Sequence, residues 1–148
     1  ANVDQGGENN YRFFQSRDGH VMMFSDEAGK LRISLRTAGG NELVLDDSSG
    51  SEKIQLYDKD NKQWLEIDVP GKKITLETET GDILIKAKKT ITLDCKDLVI
   101  KASKSIKVDS GTTTDLGATG NMSLKTAGNM DINVTGIMTQ KGNKIHLN

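Results

Sequence analysis

The sequence predicts an all-β chain: an intertwined homotrimeric β-helix, a triangular β-prism, with a more hairpin-like N-terminal part. Three observations lead there. Apolar residues recur as apolar-x-apolar pairs with polar or small residues between them, which is the period-two signature of a strand. Fifteen glycines against a single proline fall mostly between those pairs, at the positions of turns. Only 34% of the residues are apolar and 4% aromatic, while 28% are charged, so a conventional globule would be short of large core-forming side chains. The chain does not read as disordered either, because 20 basic residues nearly cancel 21 acidic ones.

Residues 1–15 are expected to be an extended N-terminal segment, and the first residue, Ala1, suggests a piece excised from a longer protein. Residues 16–80 form a long-repeat β region. There HVMMFSDEAGKLRISL (20–35) superposes on NELVLDDSSGSEKIQL (41–56) with a shift of 21 and no gap, setting Gly29 on Gly50, Ile33 on Ile54 and Leu35 on Leu56. A third copy, KQWLEIDVPGKKITL (62–76), fits with small shifts. Each copy reads as two strands joined by an acidic, glycine-containing turn. The apolar pairs are Met22/Phe24, Ile33/Leu35, Leu43/Leu45, Ile54/Leu56, Leu65/Ile67 and Ile74/Leu76.

Residues 81–148 shrink to one strand and one corner per unit. The pairs continue as Ile83/Ile85, Ile91/Leu93, Leu98/Ile100 and Ile106/Val108, then Met122/Leu124, Met130/Ile132 and Ile145/Leu147, with Leu116 and Met138 in the same columns. Positions 106, 114, 122, 130 and 138 are an unbroken series of eights, and Ile145 follows Met138 by seven. Eight extended residues reach roughly 25 Å at most, too little for a strand, a crossover helix and a return. The chain must keep turning one way, as in a β-helix whose layers cover one another. Two inward side chains per octad cannot fill a hollow alone, whereas three chains around one axis supply inward pairs from three faces and pair every strand edge. The expected trimer core is therefore Ile83, Ile85, Ile91, Leu93, Leu98, Ile100, Ile106, Val108, Leu116, Met122, Leu124, Met130, Ile132, Met138, Ile145 and Leu147. Methionine suits a narrow, irregular axis because its side chain is flexible.

Little in the sequence points to chemistry. Cys95 is the only cysteine, so no intramolecular disulfide forms, and its parity with Ile91 and Leu93 makes it a small buried hydrophobe. His20 and His146 are the only histidines; by alternation His146 points outward, away from any axial metal. Asp58 and Asp60 begin like a calcium loop, but Lys62 takes the third ligand position and no closing glutamate follows, so a polar turn is expected. Asp26-Glu27 and Asp46-Asp47 recur at matching repeat positions and read as turn residues, since no cleft sets them the 5 to 9.5 Å apart of glycosidase carboxylates. Lys86, Lys88, Lys89, Lys96, Lys101, Lys104 and Lys107 lie on the polar phase, interspersed with Asp94, Asp97 and Asp109 and without aromatics. They form a solvated face that discourages edge pairing, with no nucleic-acid partner. Gln140 falls in the inward phase, where three copies would hold a water or an anion; alternatively the phase slips at Ile137 and it faces out. No catalytic, cofactor or metal set is expected. No apolar run approaches a membrane span, and no signal-peptide pattern is present.

The run RDGHVMMFSDEAGKLRISLRTAGGNELVLDDSSGSEKIQL (17–56), then WLEID (64–68), GDILIKAKKTITL (81–93) and octads ending in KIHLN (144–148), resembles the C-terminal part of the spike proteins of contractile injection systems, the family of VgrG of type VI secretion and the phage baseplate assembly protein V group. The resemblance covers about residues 8–148. It implies a trimeric spike at the centre of a baseplate, assembled in the bacterial cytoplasm and driven through a target membrane when a sheath contracts, acting mechanically and not as an enzyme. The family's N-terminal hub and OB-fold regions, which join the tail tube, have no counterpart in these residues. Some phage members end in a paired-histidine H-x-H tip that binds iron, whereas only His146 stands near this end. Members without that tip commonly carry a conical PAAR protein, so Lys144, Ile145, His146, Leu147 and Asn148 are the expected docking platform. Two other readings predict different assemblies. A bactofilin-like polymer or adhesin stalk would form end-to-end filaments, and a single-chain β-helix carbohydrate enzyme would be monomeric.

Overall fold

Alternating apolar and polar residues between Tyr11 and Thr78 form seven short strands: β1 (Tyr11–Gln15), β2 (Val21–Ser25), β3 (Arg32–Arg36), β4 (Glu42–Asp46), β5 (Lys53–Tyr57), β6 (Gln63–Asp68) and β7 (Lys73–Thr78). A computed structural model describes residues 9–146 and divides the chain into two units, Ala1–Asp94 and Cys95–Asn148. In the first unit each strand pairs with its neighbours in sequence, antiparallel throughout, in the order β1-β2-β3-β4-β5-β6-β7. Such an up-and-down meander needs only hairpin loops. The described residues contain no helix, so the all-β expectation holds; the sheet of this one chain is open, not a closed prism. The segment expected to be merely extended at the N-terminus supplies β1, whose period-two pattern is blurred by the adjacent Phe13 and Phe14.

The 21-residue repeat is a repeat of turns. At one end of the sheet the carbonyls of Ser16, Thr37 and Asp58 accept from the amides of Gly19, Gly40 and Asn61 at 3.1, 3.0 and 3.0 Å. Those three donors, 21 residues apart, all have left-handed backbones, with φ of 89°, 99° and 53°, a conformation cheap for glycine and tolerated by asparagine. At the other end Glu27 and Ser48 accept from Lys30 and Ser51, both at 2.9 Å. Gly29 and Gly50 hold the positive φ that the third position of a type II turn requires. The third copy differs in both turns. Its first turn closes from Asp58 N to Gln63 O, one residue longer than Thr37 N to Asn41 O, and its second is Val69-Pro70-Gly71-Lys72, with the left-handed residue at Lys72. That extra residue is the small shift visible in the sequence.

Register sorts the side chains onto two faces. Phe14, Met22, Leu35, Leu43, Leu56, Leu65 and Leu76 are successive cross-strand partners, and so are Phe24, Ile33, Leu45, Ile54, Ile67 and Ile74. Two apolar columns thus cross the sheet side by side. The opposite face is polar and hydrogen-bonded: the Tyr57 hydroxyl donates to Glu42 Oε2 at 2.7 Å, Gln55 Nε2 donates to Glu66 Oε2 at 2.6 Å, and the Arg32 guanidinium lies 3.4 Å from Glu42 Oε1. That last pair reaches past the register pair Ser34–Val44. Val44 is the one buried apolar residue among those described, and Ser25 and Ser34 are the buried polar ones; all three belong to this polar face.

Beyond β7 the chain turns without a ladder. In the first unit a bend falls at 88–89; in the second, bends fall at Lys96, at 103–104, 111–112, 119–120, 127–128 and 135–136, and at Asn143, in step with a period of eight. The octad inferred from apolar spacing is therefore a real period of the backbone, and the bends keep it as far as Asn143 although the apolar column steps by seven from Met138 to Ile145. Between bends the chain is extended. Among the described residues, none from 83 to 146 makes a backbone–backbone hydrogen bond.

Candidate functional site

The surface that stands out is the one an ordinary sheet would cover. An antiparallel sheet commonly packs its apolar face and solvates its polar one; here the side chains buried within the chain lie on the polar face, and the apolar columns are bare. Phe14 and Ile74 are each 71% exposed and Leu56 53%, and even mid-sheet Leu45 is 41% exposed. The stripe crosses six interstrand spacings, about 29 Å. Contiguous apolar surface on that scale marks an interaction site.

Two shallow concavities sit on this face. One, of about 560 Å³, takes its apolar lining from Phe24, Leu31, Ile33, Leu45, Ile54 and Val69. The other, of about 520 Å³, takes Phe14, Met22 and Leu35 from this face and reaches round the end of the sheet to His20, Val21 and Thr37. Sequence reasoning did not single out Leu31 or Val69, because each sits in a turn one residue beyond a strand pattern. The backbone bonds Asp47 N to Leu31 O and Val69 N to Glu52 O carry the register one step further, which brings both into the face.

The octad residues present the same picture. Ile83, Ile85, Ile91, Leu93, Leu98, Ile100, Ile106, Val108, Leu116, Met122, Leu124, Met130, Ile132, Met138 and Ile145 are all exposed within the single chain. Leu147 and Asn148 lie outside the described residues. In six of the octad pairs the first member is the more sheltered, as with Ile83 against Ile85 and Met122 against Leu124. Cys95, Gln140, Lys144 and His146 are exposed as well, so any burial of Cys95 has to come from another chain.

The acidic turns have structural employment. Asp58 Oδ1 accepts from the amides of Gln63 at 2.9 Å and Lys62 at 2.8 Å. These bonds, Gln63's foremost, hold its carboxyl below the ordinary aspartate range. Burial pushes Asp46 up, but the hydroxyl and amide of Ser48 together with the charges of Lys53 and Arg32 outweigh it, and the carboxyl ends lower than usual. Glu27 is lowered first by Lys30, 2.7 Å away, and then by the Tyr11 hydroxyl, which it raises in turn. Tyr57 is raised by burial and by its bond to Glu42. Neighbouring turns are also tied together: Ala38 N donates to His20 Nδ1 at 3.2 Å and Lys59 N to Asn41 Oδ1 at 3.1 Å. Asp58 thus caps a turn while the Asp60 carboxylate accepts from the Lys59 ammonium at 3.1 Å, and among the described residues no three His, Cys, Asp or Glu side chains converge as a metal set.

No family model matches the chain, and no curated protein matches it. No helix of the described residues is long and apolar enough to cross a membrane.

Proposed function

We propose that the chain is the trimeric β-helical spike segment of a contractile injection system, such as type VI secretion or a phage-tail-like particle, and that it works mechanically and without catalysis. The observation that carries this reading is the series of bends every eight residues, whose extended segments make no backbone ladder and leave their apolar side chains uncovered in their own chain. Unpaired backbone N–H and C=O groups are costly wherever water is excluded. Three copies wound about one axis satisfy both needs: each extended segment finds a neighbouring chain for its ladder, and Met122, Met130 and Met138 with their companions meet at the axis. The sheet obeys the same logic, its two columns turned inward and its polar face outward.

Interchain hydrogen bonds at every layer around a dry axis make a shaft that resists bending and unfolding under axial force. On this reading the shaft is part of a baseplate assembled in the bacterial cytoplasm and is driven through a target membrane on sheath contraction. The seven-residue step from Met138 to Ile145 breaks the apolar octad, and on this reading Lys144, Ile145, His146, Leu147 and Asn148 are the blunt docking platform for a PAAR-type tip protein. Light scattering on the purified chain tests the assembly: a discrete species of three 16.1-kDa chains supports it, a stable folded monomer overturns it, and open-ended filaments point to a structural polymer instead. The injection role is tested by tagging the chain and purifying contractile particles from its native cells. Spikes without the tag would reject it.

A further inference from the structure

We propose that the polar face of the sheet carries a subsite for a neutral, β-linked oligosaccharide, built on Tyr57 and Trp64. These two aromatics are direct cross-strand partners on β5 and β6, and both are half-buried. Side chains so placed have Cβ atoms about 5 Å apart, which makes their rings neighbours. With Gln55, Asn61 and Glu66 they line one concavity of about 480 Å³, within the size range of small-molecule sites.

Each part of that lining suits a sugar. A pyranose with equatorial hydroxyls has flat C–H faces that rest on aromatic rings, which offer apolar surface at little conformational cost. Its hydroxyls point sideways, towards the rim. There Gln55 Nε2 donates to Glu66 Oε2 at 2.6 Å, so the amide and carboxylate are oriented in advance, Gln55 keeping its Oε1 to accept and a second N–H to donate, and Glu66 its Oε1 to accept. The Tyr57 hydroxyl is bound to Glu42 at 2.7 Å, which fixes the ring. Asn61 reaches the site from a left-handed turn position, φ 53°, and adds an amide donor and acceptor. Charge selects among sugars: Arg32 lies against Glu42, but Glu66 lines the site and Glu77 is the register partner of Trp64, so an anionic uronate is repelled at the tryptophan end. The site lies on the face opposite the apolar columns and does not depend on trimer formation. In a trimer with those columns inward, three copies would face outward and add avidity on a polymeric glycan.

Trp64 is the only tryptophan, so its fluorescence reports this site alone. Titration of the intact chain with cellotetraose should give a saturable change in Trp64 emission with half-saturation in about the millimolar range, while tetragalacturonate gives none. Gln55→Ala should raise the half-saturation about tenfold, as loss of one well-placed polar contact does, and leave thermal unfolding in place. Asn61→Gly, which preserves the left-handed turn, is the second variant and should weaken binding in the same direction. In saturation-transfer NMR the unaltered chain should pass magnetisation to cellotetraose, and Trp64→Ala should pass none. An aromatic pair that only braces the β5–β6 hairpin predicts none of this. The proposal is overturned by a flat titration to about 50 mM, by an equal response to tetragalacturonate, or by unchanged binding in folded Gln55→Ala and Asn61→Gly.

Discussion

Replacing Leu45 by aspartate separates a covered apolar face from a merely exposed one. Leu45 sits mid-sheet between its partners Ile33 and Ile54 and is 41% exposed within its own chain. Were that exposure permanent, Leu45→Asp would be a surface substitution with an effect of about 0.5 kcal/mol or less. If a second and third chain cover the face, the exposed two-fifths of the side chain is also buried in the assembly. Full burial of a leucine is worth about 1.5–3 kcal/mol, so the covered part contributes about 1 kcal/mol per chain and about 3 kcal/mol per trimer. Three carboxylates facing one another on the axis add a desolvation and repulsion cost of several kcal/mol more. The trimer should therefore weaken by at least about 100-fold, since about 1.4 kcal/mol is a factor of ten. Light scattering across a dilution series reads this directly, with Thr75→Asp on the opposite face of β7 as the control that keeps the wild-type mass. A Leu45→Asp protein with unchanged mass and melting temperature would refute the assignment of this face to the interior.

Further expectations concern the octads, the turns and acid. Met130→Asp should abolish the trimer through the same burial of like charge, seen as loss of the three-chain species, whereas Lys125→Asp on the polar phase should not. Gly40→Ala should destabilise by about 1–3 kcal/mol in urea unfolding, because φ is 99° and the new Cβ would lie 2.9 Å from Lys59 Cβ. Gly29→Ala should cost less, since its added Cβ meets nothing within 4 Å. Asp58 has a folded-state pKa below its unfolded value, so it binds fewer protons when folded. Its stabilisation is complete above the ordinary aspartate pKa and is lost as pH falls through the folded value. Urea midpoints measured downward from pH 5 should drop less steeply for Asp58→Asn than for the unaltered chain.

Much of the sheet was legible because strand phase is a local property. Met22/Phe24, Ile33/Leu35 and the four pairs that follow all lie in the two apolar columns, and the 21-residue superposition of Gly29 on Gly50 placed a turn that exists. β1 was harder to read, because YRFFQ carries two adjacent phenylalanines and its alternation emerges only when Phe14 aligns with Met22. The proposed saccharide site was harder still. Tyr57, Trp64 and Glu66 stood in a stretch whose calcium-like spacing drew attention to Asp58 and Asp60, and nothing in linear order says that Gln55 will face Glu66.

The amino-acid order by itself determined where the chain is extended, where it turns and which side chains share a face. Those choices rest on alternation, on glycine, and on the count of 21 and of eight, all settled within a few residues. Only the tertiary structure decided who pairs with whom: an antiparallel meander of seven strands, a polar face knit together through Glu42 and Glu66, and Tyr57 set beside Trp64. Pairing is a contest among distant segments with nearly the same pattern, and short hairpin connections resolve it in favour of sequence neighbours. In the octads no hairpin brings a neighbour back, so the same alternation leaves both backbone and apolar column open to other chains.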